Sequence, residues 1–305
     1  MSGDAVYRAL HARLATIKAL ADKPEENADT TLRALWHTAA GQPKSAVAAA
    51  DGALPALDAG TRARLDDLVA ERLRGVPLAH LTGRQSFLGL ELICAPAALV
   101  PRRETELLAG EAIACARALL DAGATPPLLV VDACTGSGNI ALAIASAIPA
   151  ARVYGADLSE EAVALARRNA AALDLADRVR FEAGDLLAPF DTGDFVGRVD
   201  ILTCNPPYIS STKVGQMADE IAAHEPRLAF DGGPLGVTIL MRLLQDAPRW
   251  LRPGGWLAFE VGAGQGGPIV RRVRGNDAFD EVRELKNEAG EVRAVLARRI
   301  DGDAA

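Results

Sequence analysis

The stretch LLVVDACTGSGNIA, residues 128–141, contains an apolar run, an acidic residue and two glycines in that order. Residues 128–132 have the composition of a buried strand, and residues 139–147 have the spacing of a helix. Gly136 and Gly138 therefore lie at a strand-to-helix turn, where glycine lets the backbone approach a ligand closely. The pattern predicts a ligand-binding loop at the carboxyl end of this strand.

Strand and helix signals alternate beyond this loop. The seven strand signals lie at residues 128–132, 151–156, 178–183, 199–204, 255–261, 279–288 and 291–299. Helices are predicted at residues 159–173, capped by Ser159, and at residues 235–251. The last two strands flank Ala289-Gly290, which is typical of an antiparallel hairpin. We expect an α/β fold, a doubly wound parallel sheet with helices on both faces and a terminal antiparallel hairpin.

The first 80 residues contain helix signals and no strand signal. One face of the first helical stretch carries apolar side chains at a helical spacing: Val6, Leu10, Leu14, Ile17 and Leu20. A second helical stretch covers residues 29–50, with Asp29 and Thr30 as candidate caps, and a third covers residues 58–74.

Short apolar pieces broken by Gly83, Gly89 and Pro96 follow, which predicts a strand pair or an extended linker. A helical domain without clusters of titratable residues is suited to docking a substrate or to covering the fold. We expect three parts: a small helical docking domain at residues 1–80, a strand or linker segment at residues 81–101 and a catalytic domain at residues 102–305.

The composition argues against several classes of protein. The chain has 305 residues, with 33 basic and 40 acidic side chains and a net charge of −7. This acidic balance argues against a protein that functions mainly by binding the phosphate backbone of nucleic acids. Four cysteines without a CxxC pair and four histidines suggest neither a disulfide framework nor a metal site. No apolar run reaches the length of a membrane span, and residues 1–4 do not have the basic-then-apolar layout expected of a secretory signal. We expect a cytoplasmic protein without direct contact to membranes or nucleic acid.

Two cofactors are compatible with the glycine loop. Gly136, Gly138 and Ala141 satisfy the dinucleotide fingerprint, and Asp157 lies 21 residues after Gly136, near the position of a ribose-binding acid. An acid as close as Asp132 would repel a pyrophosphate. The methionine end of S-adenosylmethionine carries an ammonium as well as a carboxylate, so we favour S-adenosylmethionine as the cofactor.

Three acids follow three successive strands. We expect Asp132 to fix the shape of the glycine loop, Asp157 to accept hydrogen bonds from the ribose hydroxyls, and Asp185 to accept one from the adenine amino group. Because the carboxyl ends of parallel strands share one edge of the sheet, these acids are expected to border a common site.

The fourth strand is followed by Asn205-Pro206-Pro207-Tyr208. The two prolines stiffen the chain and have no N–H to donate, so the local backbone presents carbonyl acceptors. A planar NH₂ group is the complementary guest: the Asn205 side-chain oxygen and the Pro206 carbonyl can each accept one of its hydrogens. Tyr208 can stack on a flat amide or base. The pattern predicts transfer of a methyl group to such a nitrogen.

This tetrapeptide resembles the signature of methyltransferases that act on amide or exocyclic amine nitrogens. Other stretches resemble the HemK/PrmC-type protein-(glutamine-N5) methyltransferase family: PLAHLTG (77–83), FLGL (87–90), LVPRRETEL (99–107), HEPR (224–227), Gly232-Gly233, LRPGGWL (251–257) and EVG (260–262). The resemblance spans about residues 75–300 and implies a seven-stranded, Rossmann-like methyltransferase domain that uses S-adenosyl-L-methionine.

The resemblance also implies a substrate and a site. The substrate would be a glutamine side chain in a translation protein, typically that of the Gly-Gly-Gln motif of peptide-chain release factors, methylated by a monomer. The catalytic residues would be Asn205, Pro206 and Tyr208, and Pro207 would join them in holding the glutamine. With Asp132 shaping the loop, the residues expected at the cofactor are Cys134, Thr135, Gly136, Ser137, Gly138, Asp157, Asp185, Leu186 and Asn205.

Three positions depart from the family pattern. Arg103 stands where a proline is usual, Cys134 where glycine is common, and Pro234 begins a segment that usually carries an acidic residue. A glycine loop with cysteine at position 134 resembles that of the sister branch of the family, which modifies a large-subunit ribosomal protein. Such a ribosomal protein therefore remains an alternative substrate.

Three further activities are compatible with parts of the sequence. They are methylation of the adenine amine in nucleic acid, hydride transfer by a nicotinamide oxidoreductase, and partner binding without turnover by a degenerate methyltransferase. We expect Cys134 and Cys204 to be buried thiols and His224 to be a packing residue rather than a base. For Arg102 and Arg103, which stand beside Glu104 and Glu106, a solvated charge run and a contact with cofactor or substrate remain equally open.

Overall fold

The computed structural model describes residues 3–17, 23–214 and 224–301. These residues form two compact units. The first unit runs to Arg103 and also includes His224 and Glu225. The second begins at Glu104 and resumes at Pro226.

The first unit consists of helices followed by a two-stranded sheet. Its helices are α1 (Gly3–Leu14), α2 (Ala28–Ala39), α3 (Ala46–Ala49), α4 (Ala59–Leu73) and α5 (Leu78–Thr82). Strands β1 (Arg84–Phe87) and β2 (Leu90–Ile93) pair antiparallel, which confirms the strand pair over the linker. Apolar side chains of the helices form a buried cluster that includes Leu10, Leu32 and Leu65.

The helix boundaries in this unit differ from the predicted ones. The predicted caps Asp29 and Thr30 are wrong: the N-cap of α2 is Asn27, whose Oδ1 accepts the backbone N–H groups of both residues at 3.0 Å. Thr30 Oγ1 in turn accepts the Asn27 N–H, closing a capping box. The predicted second stretch is interrupted between α2 and α3. Helix α1 ends at Leu14, before Ile17, and Leu20 lies outside the described residues.

The second unit alternates strands and helices. Its strands are β3 (Leu128–Ala133), β4 (Ala151–Asp157), β5 (Val179–Ala183), β6 (Val199–Cys204), β7 (Leu251–Glu260), β8 (Phe279–Lys286) and β9 (Val292–Arg299). Its helices are α6 (Thr105–Asp121), α7 (Asn139–Ala147), α8 (Glu160–Ala172), α9 (Ser211–Val214), α10 (Thr238–Trp250) and α11 (Gly266–Arg274), with short 3₁₀ turns at Ala188–Phe190 and Arg227–Ala229. Ser159 caps α8 as predicted.

All seven strands belong to one sheet, in the order β5-β4-β3-β6-β7-β9-β8. The first five are parallel, while β9 pairs antiparallel with both β7 and β8. The predicted α/β sheet with a terminal antiparallel hairpin is confirmed. The strand order reverses between β3 and β6, and ligands bind at such switch points in open α/β sheets.

Strand β7 begins four residues earlier than predicted. Its first residues include Pro253, Gly254 and Gly255, which usually argue against a strand interior. The pairing of β6 with β7 shifts register between Val199 and Ile201, and this irregularity accommodates the segment. Within the described residues, no helix is long and apolar enough to cross a bilayer.

Gly155 of β4 allows the sheet to pack under the glycine loop. A Cβ at this position would lie 2.5 Å from Phe181 Cδ1 and 2.8 Å from Thr135 Oγ1. We expect Gly155→Ala to lower the free energy of unfolding by about 1–3 kcal/mol through overpacking. Gly110→Ala is the matched control, because the added methyl would meet nothing within 4 Å on helix α6 and should stabilise by about 0.5–1 kcal/mol. Urea denaturation measures both, and equal effects of the two substitutions would contradict the packing argument.

Candidate active site

The sheet register places four chain segments at one edge. Ala133 of β3 pairs with Ala156 of β4 and with Cys204 of β6, and Asp157 pairs with Ala183 of β5. The residues at the ends of these strands, and those that follow them, therefore lie side by side. They include the glycine loop, Asp157, Asp185 and the segment that begins at Asn205.

Asp132 holds the glycine loop against the neighbouring strand. Its side chain is fully buried, and its two oxygens accept hydrogen bonds from Thr135 Oγ1 and Thr203 Oγ1, each at 2.6 Å. Burial raises the pKa of Asp132 to about 6, while the two hydroxyls favour its charged form. Asp132 thus shapes the loop from behind, in the way the sequence suggested.

The glycine loop bends sharply between β3 and α7. Cys134, Gly136 and Gly138 have φ angles of 55°, 53° and 82°, in the left-handed region that favours glycine. A Cβ on Gly136 would meet nothing within 4 Å, so this part of the loop faces open space. Gly138 is the N-cap of α7, and a Cβ there would lie 2.8 Å from Phe181 Cζ. Ser137 and Thr135 are buried, so the loop offers mainly backbone groups to a ligand.

Asp157 connects the loop to the next helix. Its Oδ2 accepts the Gly136 N–H at 2.8 Å, and its Oδ1 accepts the Ser159 N–H at 2.9 Å. Burial raises the pKa of Asp157, and these backbone donors oppose the rise. The next residue, Leu158, is 60% exposed, an apolar surface beside the carboxylate that the sequence analysis did not single out.

Asp185 lies at the same edge but is more open to solvent. Its carboxylate accepts a hydrogen bond from Arg242 of α10 at 2.7 Å, and both side chains are 48% exposed. The sequence analysis missed Arg242. The adjacent Leu186 is buried and has a φ of 50°.

Asn205 is fixed by a partner from another part of the chain. Its Nδ2 donates to Thr105 Oγ1 at 3.1 Å, and Thr105 Oγ1 donates to Glu260 Oε2 at 2.7 Å. Burial raises the pKa of Tyr208, and the nearby charge of Glu260 raises it further. Burial raises the pKa of Glu260 to about 7. Thr105 and Glu260 lie within the family motifs at residues 99–107 and 260–262, but the sequence alone predicted no role for them.

The backbone that follows Asn205 is held by a glycine segment. Ile209 N–H donates to Phe230 O, and Gly232 N–H donates to Ile209 O, each at 2.9 Å. A Cβ on Gly232 would clash with the Pro207 carbonyl oxygen, and one on Gly236 would clash with the Tyr208 carbonyl oxygen. Only glycine permits this close approach, so the segment that departs from the family pattern at Pro234 still clamps the tetrapeptide.

Gln265, at the start of α11, also holds the tetrapeptide, next to Gly236. Its Nε2 donates to Tyr208 O at 3.0 Å, and its Oε1 accepts the Gly262 N–H at 2.9 Å. This glutamine could not be predicted from the sequence, because no local motif marks it.

Arg102 belongs to the first unit, and its side chain is largely buried, so it is not the solvated charge that the sequence left open. It is paired with Glu225 at 2.5 Å, and the same carboxylate accepts the Val100 N–H at 2.9 Å. A buried ion pair therefore joins Arg102 of the motif at residues 99–107 to Glu225 of the motif at residues 224–227. In the second unit, Cys204 is buried as expected, and burial raises the pKa of its thiol well above the usual value. The expectation was wrong for Cys134, which is only partly buried. Among residues 3–17, 23–214 and 224–301, no cluster of three or more His, Cys, Asp or Glu side chains is arranged for a metal ion.

Comparison with known proteins identifies the class. A family model described as "Methyltransferase domain" matches residues 130–224. The chain is similar in fold to the human methyltransferase 10 domain containing protein (TM-score 0.51, 17% identity, 78% of this chain and 98% of that one). It is also similar to the N-terminal domain of human METTL16 in complex with SAH (TM-score 0.51, 16% identity, 78% and 84%). The sheet and these matches define an α/β methyltransferase fold.

Curated relatives identify the family. The chain is 39% identical over 231 residues to the release factor glutamine methyltransferase of Moorella thermoacetica, covering 76% of this chain and 78% of that one. It is 42% identical over 212 residues to that of Streptomyces coelicolor, covering 70% and 72%. The chain belongs to the release factor glutamine methyltransferase family. The family predicted from the sequence is thereby confirmed, and the adenine, oxidoreductase and ribosomal-protein alternatives are not favoured.

Glu260 should make the stability of the protein depend on pH. Because its pKa is about 7 in the folded protein and near 4.5 when unfolded, the folded state holds a proton that the unfolded state has released between these values. The free energy of unfolding therefore falls as pH rises from about 4.5 to 7. We expect Glu260→Gln to remove about 1–3 kcal/mol of this decline between pH 5 and 7.5.

Urea denaturation at several pH values measures this slope. The exposed Glu288→Gln, in the turn between β8 and β9, is the control and should keep the wild-type slope. A Glu260→Gln variant with an unchanged slope would show that Glu260 does not carry the shift.

Proposed function

We propose that the protein transfers a methyl group from S-adenosyl-L-methionine to the side-chain amide nitrogen of a glutamine in peptide-chain release factors. The observation that carries this function is the placement of Asn205 one residue after β6, beside the glycine loop that follows β3. With its Nδ2 bonded to Thr105, Asn205 keeps its oxygen as an acceptor for the substrate.

The residues at the sheet edge fit S-adenosylmethionine. The open space in front of Gly136 leaves room for a ligand at the loop, and the loop backbone suits a group that carries both an ammonium and a carboxylate. Asp157 retains free lone pairs for ribose hydroxyls, since each oxygen accepts one backbone N–H. Exposed Leu158 offers an apolar surface for the adenine. When bound, the cofactor supplies an electrophilic methyl group.

The tetrapeptide acts on the substrate by positioning it. Asn205 Oδ1 and the Pro206 carbonyl would each accept one N–H of the glutamine amide, and Tyr208 would pack against its plane. These bonds draw electron density onto the nitrogen and turn its lone pair toward the methyl group. Orientation of this kind supplies several kcal/mol of catalysis, on the order of 5 or more. Loss of the proton from the methylated amide needs only water.

The remaining expectations are part of the same proposal. The helical first unit would dock the release factor, and the protein would act as a monomer in the cytoplasm, where translation takes place. The net charge of −7 supports a protein substrate rather than direct contact with nucleic acid.

The test is methyl transfer to a purified, unmethylated release factor, read by mass spectrometry at the glutamine of its Gly-Gly-Gln motif. We expect Asn205→Ala to lower the rate at least about 100-fold, because the amide loses an acceptor, while cofactor affinity changes by less than about threefold. Asn276→Ala, before β8, is the control and should retain transfer.

Methylation of a ribosomal protein or of adenine instead of the release factor would contradict the proposed substrate. Full activity of Asn205→Ala would contradict the role of the tetrapeptide.

A further inference from the structure

Glu260 belongs to a buried hydrogen-bonded chain that reaches the first residue of the tetrapeptide. Its side chain is 3% exposed at the end of β7, and Thr105, the first residue of α6, is 1% exposed. Thr105 links Glu260 to Asn205 by two hydrogen bonds. The carboxylate is therefore connected through Thr105 to the Asn205 side chain, which is assigned to the substrate amide.

The hydrogens of this network allow only one arrangement while Glu260 is ionised. A carboxylate accepts hydrogen bonds and donates none, so the hydroxyl hydrogen of Thr105 is committed to Glu260. Thr105 Oγ1 then acts toward Asn205 only as an acceptor, and it requires the NH₂ side of that amide. The oxygen of Asn205 is consequently turned to the opposite side.

A second layer of charge supports the ionised carboxylate. Arg293 of β9 favours the charge on Glu260 and is itself paired with Glu104 at 2.8 Å. The groups that face Glu260 are Thr105 and Glu104 at the start of α6, Tyr208 after β6 and Arg293 on β9. Among these, Glu104 opposes the charge while the other three favour it.

We propose that Glu260 and Thr105 are positioning residues that set the orientation of the Asn205 amide, so that its oxygen and not its NH₂ group meets the substrate. Neither residue touches the reacting atoms. The proposal rests on the proposed function, because orientation matters only if Asn205 binds a substrate NH₂ group.

The decisive comparison is Thr105→Val against Thr105→Ser. Valine has nearly the same shape but no hydroxyl, whereas serine retains the hydroxyl that relays the orientation. We expect Thr105→Val to lower kcat for release factor methylation about 10- to 100-fold, a loss typical of misplaced reacting groups. Thr105→Ser should restore kcat to within about threefold of wild type, and both variants should bind S-adenosylmethionine with nearly wild-type affinity.

The pH profile gives a second readout that a purely structural role would not move. Protonation converts Glu260 from an acceptor into a donor, so the single arrangement of the network is lost as pH falls below about 7. Wild type and Thr105→Ser should lose kcat over this range at saturating substrate. Thr105→Val should be slow at every pH, without that decline.

The outcomes separate the two claims. No methyl transfer by the wild-type protein would contradict the proposed function itself. An active wild type with a Thr105→Val variant within about threefold of its kcat would overturn the positioning role alone. A Thr105→Ser variant as slow as Thr105→Val would also overturn it, because the hydroxyl would then not be the part that matters.

Discussion

The buried carboxylate of Asp132 is the interaction on which the rest of the site depends. It joins Thr135 of the glycine loop to Thr203 of β6, so the glycine loop and the strand that leads to Asn205 are held together. Removing a charge from water is costly, and two hydroxyl donors at 2.6 Å compensate part of that cost. Such an arrangement fixes the two halves of the reaction centre relative to each other.

The chemistry assigned to this site relies on geometry more than on acid and base catalysis. A neutral amide nitrogen is a weak nucleophile, and in the proposed mechanism the protein would improve it by holding both of its hydrogens on fixed oxygens. Clamping by glycines at positions 232 and 236 and by Gln265 serves the same purpose, because it immobilises the carbonyls of the tetrapeptide. The proposed role of the buried network around Glu260 is to orient the Asn205 amide, which could otherwise present either its oxygen or its NH₂ group to the substrate.

Much of the second unit could be predicted because its signals are local. Apolar runs mark the buried strands, glycines mark the loop, and Asn205-Pro-Pro-Tyr is recognisable by itself. Partners distant in sequence could not be predicted: Thr105 and Asn205 are 100 residues apart, and Thr105 and Glu260 are 155 apart. Which of these side chains meet depends on strand register. The predicted N-cap of α2 was wrong for a different reason. Asn27, Asp29 and Thr30 are all residue types that favour the N-cap position, and the backbone conformation decides which of them occupies it.

The most direct test of the account is a crystal structure of the protein with S-adenosylhomocysteine and a peptide containing the Gly-Gly-Gln motif. The account predicts that the glutamine NH₂ group donates to Asn205 Oδ1 and to the Pro206 carbonyl, with its nitrogen facing the sulfur and Asn205 Nδ2 still bonded to Thr105. A glutamine bound elsewhere, or an Asn205 amide whose oxygen points toward Thr105, would contradict it.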